Sequence, residues 1–92
     1  MARHPDHKYA ANAYYWLGEV YLVQDDPKNA VIAFSTGIKK YPNGGKAAAN
    51  LLKMGVAFKR MKQVKHAQSS WNKLVKDFPT APEIEKAKTY LK

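Results

Sequence analysis

The sequence predicts an all-α fold in which antiparallel helix pairs stack as a solenoid, with two complete hairpins followed by a terminal helix. Two observations carry this expectation. First, the chain resembles itself at a displacement of 37 residues: Pro5, Pro42 and Pro79 share a register, Gly18 aligns with Gly55, Ala30 with Ala67, Phe34 with Trp71, Tyr21 with Phe58 and Tyr41 with Phe78. Second, the repeated positions fall at helical spacing. Tyr14, Leu17, Gly18 and Tyr21 stand at i, i+3, i+4 and i+7, and Ala30, Phe34 and Ile38 at i, i+4 and i+8.

The elements follow in order. A first helix over 6–23 ends at Asp25-Asp26-Pro27, where Asp26 is placed to cap the next helix and Pro27 to occupy its first position. The second, over 27–41, stops at the pre-proline aromatic of Tyr41-Pro42-Asn43-Gly44-Gly45. A third over 45–60 gives way at Lys62-Gln63-Val64, whose turn signals are weaker, to a fourth over 64–78. Phe78-Pro79-Thr80-Ala81-Pro82 then leads into a fifth over 82–91. The repeats thus run over about 6–42 and 43–79, with a partial third over 80–92, in a single domain. Small residues explain the crossings: Gly18 packed by Ala30, and Gly55 by Ala67, let the helices of a pair approach closely. Phe34 and Trp71 fill the holes and the space between hairpins, while Tyr14, Leu17, Gly18 and Tyr21 face their own partner helix.

A chain of 92 residues with 46% apolar content builds one core and leaves little stability for an enclosed catalytic cavity. Its apolar runs fall far short of the roughly 20 residues that cross a bilayer, so no membrane insertion is expected. Without cysteine there is no disulfide or thiolate chemistry, and the compartment stays open. Residues 1–6 carry no apolar segment of a secretory signal, so if the natural protein is exported this chain is a fragment. The charge is lopsided: residues 47–92 hold 10 Lys and Arg against 3 Asp and Glu, a net +7 of the total +9. Such a surplus attracts nucleic acid, anionic lipid or an acidic protein, or simply solvates a helical face.

The order of aromatic, Leu-Gly, Tyr, Ala, Phe and Pro resembles the tetratricopeptide pattern. Tyr15-Trp16-Leu17-Gly18-Glu19, Tyr41-Pro42 leading to Lys46-Ala47 and Leu51-Leu52-Lys53-Met54-Gly55, and Phe78-Pro79-Thr80 followed by Ala87 and Leu91, resemble the C-terminal tetratricopeptide domain of the periplasmic Tol-Pal-associated cell-division coordinator, the CpoB/YbgF family, over essentially the whole chain. The resemblance implies a non-enzymatic scaffold in the periplasm. It also implies an N-terminal coiled coil for trimerisation outside this chain, a preceding repeat that ends at Pro5, and binding of TolA, linking Tol-Pal activity to constriction and to the peptidoglycan synthase complex.

Residue chemistry independently favours binding over catalysis. His4 and His7 have no carboxylate or Cys cluster to complete a metal site, and His66 stands alone in a basic helix. Asn43-Gly44-Gly45-Lys46 lacks the upstream Gly and the following Ser or Thr of a phosphate loop. No cofactor is expected. Repeat arrays bind peptides along the groove lined by the first helix of each pair, which here points to Asn12, Tyr15, Trp16, Glu19 and Leu22, to Leu52, Lys53, Val56, Lys59 and Arg60, and to Thr89 and Tyr90 at the end. This mixture suits a peptide with apolar anchors and acidic side chains or a C-terminal carboxylate. Tyr15 and Trp16 have a competing assignment, packing against a preceding repeat. Nucleic-acid binding is the rival reading, supported by a pI near 9.8, but the lysines at 59, 62, 65, 73 and 76 lie on different helices without interleaved aromatics. Homo-oligomerisation is the third, through an apolar face bearing Ala10, Ala13, Tyr14 and Leu17.

Overall fold

The structure, a computed structural model, describes residues 7–42 and 46–91, with side chains from residue 12 onward. Five helices follow one another, α1 (His7–Val23), α2 (Pro27–Lys40), α3 (Ala47–Arg60), α4 (Val64–Asp77) and α5 (Ile84–Leu91), and the described residues contain no strand. Each boundary lies within two residues of its expected position. Each helix packs on the next, and α1 also touches α3, so α1 and α3 form one layer backed by α2 and α4.

Both interhelix turns within the pairs close in the same way. Asp25 and Lys62, related by the 37-residue register, adopt left-handed backbone conformations with φ of 61° and 63°. The amide after each reaches back five residues, Asp26 N–H to the Tyr21 carbonyl at 2.8 Å and Gln63 N–H to the Phe58 carbonyl at 2.9 Å. Asp25 and Lys62 themselves donate to Leu22 and Lys59. These are Schellman closures, which satisfy the last carbonyls of α1 and α3. The turns differ at the next helix start. Asp26 Oδ1 accepts the Asn29 amide at 3.3 Å with Pro27 at the first position, as expected, whereas Gln63 caps α4 without a side-chain bond. At the other helix ends Tyr41 and Phe78, each before a proline, leave the helical region with ψ of 63° and 60°.

The crossings show the expected knobs in holes, with the aromatic and not the alanine closest to each glycine. A Cβ on Gly18 would run into the Phe34 ring, and one on Gly55 into the Trp71 indole, so each glycine hole takes the large aromatic, and Ala30 and Ala67 are not among the nearest atoms. Both alanines are fully buried nearby, one with Leu22, Phe34 and Ala57, the other with Leu51, Leu52, Trp71 and Leu74. The repeats differ chemically at this point. The Trp71 indole brings a polar N–H into the core, and it donates to the Leu52 carbonyl at 3.1 Å.

Leu17 also departs from expectation. It does not face α2; it is 44% exposed on an open stripe of α1 that continues through Ala13, Trp16, Val20 and Val23. The corresponding positions of α3 include Asn50 and Ala57, which are buried; Ala57 lies among α2 residues and the Asn50 amide lies against Gly37 of α2. Asn50 is the anomaly of this core, since its Nδ2 and Oδ1 have no hydrogen-bond partner among the described residues.

Candidate partner-binding groove

Three helices bring their N-terminal or central turns to one concave surface. Tyr15 of α1, Ala49, Leu52 and Lys53 of α3, and Pro82, Glu83 and Lys86 at the start of α5 line a cleft of about 330 Å³. Its floor is apolar because Leu52 is held there by the core, where Trp71 bonds its carbonyl from the far side of α3. The walls are ionic. The Tyr15 hydroxyl donates to Glu19 Oε2 at 3.0 Å, and Lys53 Nζ approaches the same oxygen at 3.4 Å, joining α1 to α3 across the groove. Lys46 Nζ lies 4.7 Å above the Tyr15 ring. Burial first, then the bond to Glu19 and the nearby carboxylates of Glu19 and Glu83, pushes the Tyr15 phenol up to about 12, so it is a neutral donor at physiological pH. The arrangement offers an apolar floor, a fixed aromatic and ammonium groups on both walls.

The expected groove residues divide. Tyr15, Glu19, Leu52 and Lys53 come together here. Trp16, one residue and so about 100° further round α1, does not line the cleft itself, although its ring meets the Tyr15 ring edge-on with centroids 5.4 Å apart. It is 59% exposed and lines a separate apolar hollow with Glu19, Val20, Val23 and Gln24. Leu22 is 5% exposed and packs with Ala30, Phe34 and Ala57, because its backbone position on α1 turns it to the core. Arg60 ties the repeats instead of lining the cleft: its Nη1 donates to the Leu22 carbonyl at 3.0 Å. Val56 packs against the second core cluster, Tyr90 stacks 5.0 Å from Trp71, Lys59 and Thr89 are exposed, and Asn12 is half-buried. His4 and the Asn43-Gly44-Gly45 loop lie outside the described residues, as do the side chains of His7 and Ala10.

Lys46, Ala49, Pro82, Glu83 and Lys86 were not anticipated, although the repeat held the signal. Carrying Asn12 forward by 37 residues lands on Ala49, and again on Lys86; the same step takes Lys46 to Glu83.

The sequence pattern of the tetratricopeptide repeat matches residues 12–44 and 49–81, two segments displaced by the same 37 residues. No curated protein matches the chain.

Proposed function

This chain belongs to the tetratricopeptide repeat family, and on that footing we propose that it binds an extended segment of a periplasmic, TolA-like protein in the groove of α1, α3 and α5. In this reading it couples Tol-Pal function to constriction and to peptidoglycan synthesis during division. The observation that carries the groove is the cleft in which an apolar floor of Tyr15, Ala49, Leu52 and Pro82 is flanked by Lys46, Lys53 and Lys86. The periplasmic partner is drawn from the sequence resemblance described above.

Titration of the purified domain with a soluble TolA domain tests it. Cutting a groove aromatic such as Tyr15 to Ala costs about 2 kcal/mol, roughly a thirtyfold loss, whereas a peripheral lysine costs about 1 kcal/mol or less. Lys73, which pairs with Asp77 at 2.8 Å on α4, is the control. Equal losses for Tyr15→Ala and Lys73→Ala would refute the groove. Steeply salt-dependent binding to an oligonucleotide, with no envelope protein bound, would replace it with the nucleic-acid reading.

The open stripe of α1 favours self-association as an additional property. At the corresponding positions of α3, Ala57 is buried and Lys53 and Met54 are partly buried, so a second copy laid on Trp16, Leu17, Val20 and Val23 would remove apolar surface that is more open than its counterpart in the next repeat. Sedimentation shifting with concentration from micromolar to millimolar, and abolished by Val20→Lys, is the expected result; a strict monomer refutes it.

A further inference from the structure

The repeat separates what the fold needs from what it does not. Residues that make the helix crossings recur at 37 residues, Gly18 with Gly55 and Phe34 with Trp71. The Glu19 and Lys53 ion pair does not: Val56 stands one repeat after Glu19, and Trp16 one repeat before Lys53. Both side chains are partly open to solvent, at 26% and 31%, and the contact is loose at 3.4 Å. A partly exposed pair of this kind adds little to the stability of the fold. It sits, however, where an incoming carboxylate would be drawn, on a groove ammonium beside the cleft floor.

Resting on the groove reading above, we infer that Glu19 is an internal competitor for that site: it engages Lys53 in the empty groove and is displaced by the carboxylate of an acidic, extended peptide. The occupant follows from charge complementarity. Lys46, Lys53 and Lys86 border the cleft and outnumber its two carboxylates, Glu19 and Glu83; Lys86 makes no ion pair among the described residues, and an apolar side chain next to the acid fills the space over Leu52. Once released, Glu19 still faces the bound acid and repels it. Replacing Glu19 by Gln removes both effects and leaves an oxygen to accept the Tyr15 hydroxyl.

The probe is a fluorescein-labelled, C-terminally amidated hexapeptide of five Glu and one central Phe, compared with its Gln counterpart. Glu19→Gln is expected to bind the acidic probe about three- to tenfold more tightly than the parent chain and the Gln probe unchanged. Asp77→Asn, which alters net charge equally on α4, leaves both within about twofold. An unchanged circular dichroism melt for Glu19→Gln shows that the groove is intact. If the parent chain binds the acidic probe but Glu19→Gln binds it no better, or Asp77→Asn binds it as tightly as Glu19→Gln, the competitor role is overturned while the groove stands. If no variant binds either probe at millimolar concentration, the acidic-ligand groove falls and the competitor with it.

Discussion

Replacing Gly55 with Ala perturbs the fold at a point where two terms oppose each other and can be weighed. Alanine is the better helix former by about 1 kcal/mol, so at an open position the change stabilises. At Gly55 the added methyl meets the Trp71 indole, including Nε1. Overpacking of this kind costs about 1 to 3 kcal/mol. Moving the ring also strains the 3.1 Å bond to the Leu52 carbonyl, and a buried indole N–H left without an acceptor adds about 1 to 3 kcal/mol. The net expectation is a loss of about 1 to 5 kcal/mol. Gly18→Ala meets the same steric obstacle in Phe34, but that ring donates no hydrogen bond. Its net loss is therefore at most about 2 kcal/mol. Urea unfolding followed by tryptophan fluorescence and by circular dichroism measures both, and with a slope near 1 kcal/mol/M a 2 kcal/mol loss moves the midpoint by about 2 M. A Gly55→Ala midpoint at or above that of the parent, or equal losses at the two glycines, would refute the reasoning.

Other expectations follow from particular residues. Lys62→Gly is expected to raise stability by about 1 kcal/mol, because glycine adopts the left-handed φ of 63° without the Cβ clash that lysine bears; an unchanged or lower thermal midpoint contradicts this. Asn50→Leu, which removes two buried polar atoms without described partners and keeps the same branching with bulkier ends, is expected to be close to neutral in urea, and a loss above about 3 kcal/mol, beyond what overpacking costs, would mean that the amide is satisfied. Tyr15 has a folded pKa of about 12 against 10.0, so its neutral form contributes stability that is complete below pH 10 and lost as pH rises through 12. Absorbance titration is expected to show one phenol ionising late, and Tyr15→Phe to abolish that component; its persistence in Tyr15→Phe assigns it elsewhere.

The helices were legible because the features that set them are local and repeated. Asp26-Pro27, Tyr41-Pro42 and Phe78-Pro79 mark boundaries through caps and pre-proline sterics that act within a few residues. The turn after α3 was less legible because its closure resides in backbone geometry at Lys62, a residue type that gives no sign of a left-handed conformation. The groove was half legible. Helical spacing identifies the helices that line it, but not the rotation of each: Leu22 turns to the core, and Trp16 touches Tyr15 edge-on while the rest of its surface lies on the open stripe. The far wall escaped notice because Glu83 and Lys86 reach the cleft only once α5 is folded against α4.

The Arg60 guanidinium spans 38 positions of sequence to hold the carbonyl of Leu22. In a linear array, each unit senses only its neighbours, and cooperativity resides in the terms that join them. This bond is such a term, placed where α1 ends and where fraying would otherwise begin. Its strength sets how far an opening of the first hairpin spreads into the second, and thus whether amides of α1 and α3 exchange with solvent as one population or as two.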